Sequence, residues 1–73
     1  MPLKSLPYRE VRRRLVAMGF VEVSRKGSHV KFTKETAAGT ITVIVPHHRE
    51  VAVGTLRSIL RQARLSVDEF ERA

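Results

Sequence analysis

Three histidines are the side chains in this sequence best suited to chemistry near neutral pH. They stand at two places: His29 within RKGSHVKF (25–32), and the adjacent pair His47-His48 after Val45-Pro46. An imidazole with an ordinary pKa near 6.5 can both take up and release a proton in that range. Cysteine is absent, which removes thiolate nucleophiles, disulfides and thiolate metal ligands. A metal centre needs three or four ligands, and His47-His48 lack a nearby cysteine or a suitably spaced carboxylate, so neither metal nor cofactor is expected. As a residue in a sequence, His29 is either a solvated strand histidine or a proton-transfer group. The elements that carry it decide where it can point.

The first of these elements is read from SLPYREVRRRLVAMGF. Val11, Leu15 and Met18 fall at helical spacing with Tyr8 one turn earlier, and the arginines take the other faces, which predicts a helix over about 7–18. Ser5 or its neighbour is the expected cap, and Pro7 is tolerated only in the first turn. Gly19 suits a left-handed helix end, with Phe20 folding back on the last turn. Two strands, FVEVSR and SHVKFT, follow around a Lys26-Gly27 turn. Counting outward from that turn pairs Arg25 with Ser28, Ser24 with His29, Val23 with Val30, Glu22 with Lys31 and Val21 with Phe32. All apolar residues from 21 to 32 then share one face, and His29 lies on the polar, open one beside Ser24 and near Lys31. A third strand, TITVIVP, comes after the loop KETAAG, and Pro46 ends it. In GTLRSILRQARLS, Leu56, Ile59, Leu60 and Ala63 mark a second helix starting at Gly54 or Thr55. Ser66 to Glu69 reads as a capping box for a short last helix ending in Phe70. The expected fold is α+β, in the order α-β-β-β-α of the double-stranded-RNA-binding domain. Its three-stranded antiparallel sheet carries the helices on one face and leaves the other exposed.

Charge bounds the partners. Fourteen Lys and Arg against seven Asp and Glu give +7, a field that attracts polyanions, RNA or DNA first among them, although an acidic protein satisfies the same field. One Tyr, three Phe and no Trp argue against a sheet that reads RNA mainly by stacking bases on aromatic side chains. A single domain of 73 residues has a thin core, so a site is expected as an open surface groove and not an enclosed cavity. No apolar run approaches a membrane span, and MPLKSLPYRE has no apolar signal segment. A soluble, cytoplasmic protein without membrane contacts is expected.

Taken in order, these segments resemble the HicA toxin family along nearly the whole chain. Arg9-Glu10-Val11 through Leu15 to Gly19-Phe20 is similar to its first helix, and Lys26-Gly27-Ser28-His29 to its Gly-Ser-His motif. Val45-Pro46 with His48 resembles its P-x-H step, and Gly54-Thr55-Leu56-Arg57 with Ile59-Leu60 and Ala63 its G-T-L-R-x-I-L helix. The resemblance implies a toxin of a toxin–antitoxin module that cleaves mRNA, a double-stranded-RNA-binding-like fold, one catalytic histidine, and a HicB-like antitoxin as partner. Transferred residue by residue, the catalytic histidine is His29. Arg25, Lys26, Gly27, Ser28, Lys31, His48, Arg9, Arg12 and Arg13 are the candidate RNA contacts. Two positions depart from the family pattern. Val30 stands where many members have a second histidine, and Arg64 where a glycine usually ends the second helix; a left-handed arginine there costs about 1 kcal/mol. The chemistry implied is self-contained, because RNA brings its own nucleophile, the 2′-hydroxyl beside the scissile phosphate. The protein then needs to orient that group and move protons, and one general acid or base contributes roughly 10²- to 10⁴-fold.

Overall fold

The computed structural model describes residues 3–73. Its elements are α1 (Tyr8–Ala17), β1 (Val21–Lys26), β2 (His29–Thr36), β3 (Gly39–Pro46), α2 (Val53–Ala63) and α3 (Val67–Arg72). The strands form one antiparallel sheet in the order β1-β2-β3. Alternation sets the layers. Val30, Phe32, Val43 and Val45 are buried, and they join Val11 and Leu15 of α1, Leu56, Ile59, Leu60 and Ala63 of α2, and Phe70 of α3 in one core. His29, Lys31, Thr42 and Ile44, in between, are exposed. The sheet therefore has one covered face and one open face.

Local chemistry explains the helix ends. After α1 the Phe20 N–H donates to the Leu15 carbonyl across Gly19, whose φ of 97° is left-handed, and Phe20 folds back into the core. Arg64 takes the left-handed position after α2 with φ 58° and ψ 39°. Ser66 and Glu69 make the reciprocal capping box of α3. Neither α1 nor α2 has a side-chain cap. Pro7 and Ala52 occupy those positions, and the Ser5 hydroxyl donates to Glu50 (3.0 Å) in place of capping α1. Helix α2 accordingly begins at Val53, just ahead of Gly54 and Thr55.

The β1–β2 register differs from the one counted in the sequence. The turn residues are Gly27-Ser28, so Lys26 pairs with His29, Arg25 with Val30, and Ser24 with Lys31. A turn on Lys26-Gly27 with both central residues at positive φ would force Lys26 into that region. Moving one residue along leaves the positive φ (59°) to Gly27 alone, as a turn with glycine first requires. The register then slips by one at Val23, a bulge that leaves Glu22 opposite Phe32 and Val21 opposite Thr33. Val21 and Val23, expected in the core, are 61% and 51% exposed, and every residue of this edge strand is exposed. The second hairpin is tighter than expected. Lys34–Thr36 belong to β2 and the turn is Ala37-Ala38, closed by the Ala38 N–H to Thr36 Oγ1 (3.2 Å) and Thr36 Oγ1 to the Gly39 carbonyl (2.7 Å).

Candidate active site

His29 is the first residue of β2, between Lys26 on one neighbouring strand and Pro46 on the other. Burial of Val30 and Phe32 on the opposite face of the same strand fixes its direction, so the changed β1 register alters its neighbours but not its exposure. Lys26 replaces Ser24 as the residue directly across. Lys31, two residues on, shares the open face between Ser24 and Ile44. The His47 N–H donates to the Ser28 carbonyl (2.5 Å), which ties the end of β3 to the turn. A Cβ built on Gly27 meets no heavy atom within 4 Å, so the turn is open to an approaching group. Among the described residues no side chain hydrogen-bonds the His29 imidazole, and no carboxylate pairs with Lys26 or Lys31. His29, Lys26, Gly27, Ser28 and Lys31 thus form one open, positively charged surface.

The other candidate contacts lie elsewhere. Arg25, opposite buried Val30, is on the helix-side face, where its Nε donates to the Gly27 carbonyl (3.1 Å). Arg12 pairs with Glu22 (3.3 Å), Arg13 with Glu10 (2.6 Å) and Arg14 with the same carboxylate (2.9 Å). Hydrogen bonds from Arg13 and then Arg14 pull the Glu10 carboxyl down to about 2, and the same bond raises Arg13. Three of the helix arginines are therefore held by carboxylates, and the resemblance gave no sign of it for Arg12 and Arg13.

Arg9 and His48 line a second feature, a shallow groove of about 220 Å³ with Pro7, Tyr8, His47 and Arg49. His29 is not among its lining residues. The groove exists because Leu6 and Val51 form an isolated antiparallel bridge, with N–H to carbonyl distances of 3.1 and 2.6 Å, that clamps the start of α1 beside the segment after β3. The Tyr8 and His47 rings face one another there, with centroids 4.1 Å apart and planes tilted by 48°. Burial, with Glu22 as the second cause, raises the Tyr8 phenol above 10.0, so it remains a hydrogen-bond donor. Helical spacing marks Tyr8 only as a core-side residue, and nothing in the sequence singles out Arg49. The bridge that gathers them spans 45 residues of chain and has no local signal. Among the described residues no three His, Asp or Glu side chains gather as a metal-ligand group, and no helix is long and apolar enough to cross a membrane.

An open three-stranded antiparallel sheet, preceded by one helix and followed by two, defines an α+β domain consistent with the double-stranded-RNA-binding-like class. Comparison with protein families gives a match to the HicA toxin of bacterial toxin–antitoxin systems over residues 8–65, most of the chain. The chain belongs to the HicA toxin family. Membership makes it a toxin of a toxin–antitoxin module and implies an antitoxin partner in that module. The comparison with curated proteins returned no match.

Proposed function

We propose that this toxin is an endoribonuclease that cleaves mRNA in the cytoplasm without a metal ion, with His29 as its proton-transfer group and a HicB-like protein as its antitoxin. The observation that carries the proposal is the placement of His29: exposed, on an open face, and flanked by two lysines, with no side-chain partner for any of the three among the described residues. A strand of RNA laid across this face meets Lys26 and Lys31 as phosphate contacts. The turn at Gly27-Ser28 leaves room for a phosphate beside its backbone amides. The 2′-oxygen attacks the adjacent phosphorus, the bond to the 5′-oxygen of the next nucleotide breaks, and the proton lost by the first oxygen is balanced by one gained at the second. His29 serves in that transfer. Orientation on the basic surface supplies the remaining acceleration. Arg9, Arg12, Arg13 and Arg25 extend the positive field beyond the open face, with His48 as a further hydrogen-bonding contact, and of the arginines Arg12 and Arg13 contribute least because carboxylates already hold them.

The test is incubation of the purified protein with an end-labelled RNA, with and without EDTA, beside a DNA of the same sequence. Cleavage of the RNA alone, unaffected by chelator and leaving 5′-hydroxyl ends, is the expected result. RNA bound but left intact would instead make the protein a non-catalytic RNA-binding module. Loss of activity in EDTA would point to a metal.

A further inference from the structure

The groove formed by Pro7, Tyr8, Arg9, His47, His48 and Arg49 has no part in the proton transfer proposed for His29, yet it combines features that a solvated helix start does not need. Its volume, about 220 Å³, equals that of roughly seven water molecules and falls below the approximately 300 Å³ at which pockets for drug-sized ligands begin. One heterocyclic unit fits; a folded segment does not. The tilted Tyr8–His47 pair offers an aromatic wall. Among the described residues the Tyr8 hydroxyl makes no hydrogen bond, and Arg9 and Arg49 have no carboxylate partner. Glu50, the acidic neighbour of Arg49, is occupied by Ser5. The groove is walled mostly by apolar atoms, which suits a planar base, and its lining residues carry an unbonded hydroxyl and two guanidinium groups, the donors that a base edge and a phosphate accept from.

Position ties the groove to His29. Pro46 pairs with His29, and His47, the next residue, is bonded through its N–H to the Ser28 carbonyl. Chain geometry therefore puts the Cα of His47 within about 9 Å of that of His29, one strand spacing plus one residue. A chain crossing the open face can turn over the end of β3 and leave its next unit in the groove.

We infer that this groove is a single-nucleotide subsite for RNA, with the base against Tyr8 and His47 and the phosphate between Arg9 and Arg49. The inference rests on the nuclease reading for its biological role, but the subsite can be measured without cleavage. The probe is a nucleoside 5′-monophosphate, each of the four in turn, titrated into isotope-labelled His29→Ala protein and followed by amide NMR, with the nucleoside alone and inorganic phosphate alone as references. Shifts centred on Tyr8, Arg9, His47 and Arg49 and larger than with either fragment are expected, and His47→Ala or Arg49→Ala should remove them while the remaining spectrum keeps the dispersion of the folded protein. In RNA cleavage by otherwise native protein, His47→Ala should raise KM at least about fivefold, the lower end for a lost base–aromatic contact, with little change in kcat. Shifts confined to Lys26, Ser28 and Lys31 would overturn the subsite. So would groove shifts with an acidic peptide and none with the mononucleotides, which would mark a protein-contact surface. Mononucleotide binding in the groove by a protein that never cuts RNA would support the subsite and defeat the nuclease reading alone.

Discussion

Unpaired and paired cations in this molecule should differ measurably in what they give to RNA binding. Lys26 and Lys31 have no carboxylate partner among the described residues, whereas Arg13 lies 2.6 Å from Glu10. Each phosphate neutralised on a single strand adds about −0.7 to the slope of log affinity against log salt concentration, so a fourfold rise in salt weakens binding by about 2.6-fold per contact. Removing both lysines should therefore flatten the slope by about 1.4 units and cut the salt penalty between 50 and 200 mM by about sevenfold. The assay is fluorescence anisotropy of a labelled single-stranded RNA, read at several salt concentrations in a His29→Ala background so that nothing is cut. Lys26→Ala/Lys31→Ala should show the reduced slope. Arg13→Ala, whose charge is already met by Glu10, should change it by less than about 0.3. Equal slopes for the lysine double variant and the parent, or a larger loss in Arg13→Ala than in Lys31→Ala, would refute the placement of RNA on the open face.

Two further predictions concern stability. Arg64→Gly should stabilise the fold, because relief of a left-handed residue worth about 1–2 kcal/mol exceeds the roughly 0.5–1 kcal/mol of added chain freedom, raising Tm by about 2–8 °C; an unchanged or lower Tm contradicts it. Glu10→Gln should make stability less dependent on acid. The carboxyl sits near 2 in the folded protein against an ordinary 4.5, so its contribution is complete above about 4.5 and disappears as pH falls towards 2. Thermal unfolding curves of wild type and variant should therefore converge across that window, and parallel curves would show that the arginine contacts contribute nothing.

How much of this was legible in the sequence depended on range. Gly19-Phe20, Arg64 and Ser66–Glu69 were readable because each helix end is settled within a few residues by φ preference or a short hydrogen bond. Val30 and Phe32 were readable as core because two apolar residues at period two leave His29 only the other face. The β1 register was not. Val21 and Val23 alternate as core residues do, but the turn's demand for glycine at its positive φ moves the pairing by one, and the bulge slips it again. Edge position then leaves both valines uncovered. Spacing of four made the Glu10–Arg14 pair legible, but not the partner of Arg13, since helical spacing places it beside both Arg9 and Glu10 and only the structure shows which it meets. The groove depends on Leu6 meeting Val51, a long-range contact of two unremarkable apolar residues.

Proton transfer by His29 is tested most directly by the single-turnover rate of RNA cleavage by His29→Ala beside wild type. Circular dichroism should be unchanged, because the side chain is exposed and is not part of the core. A rate lowered by about 10²-fold or more at saturating enzyme is the predicted result. A pure His29→Ala preparation that cuts RNA within a few-fold of wild type would contradict it.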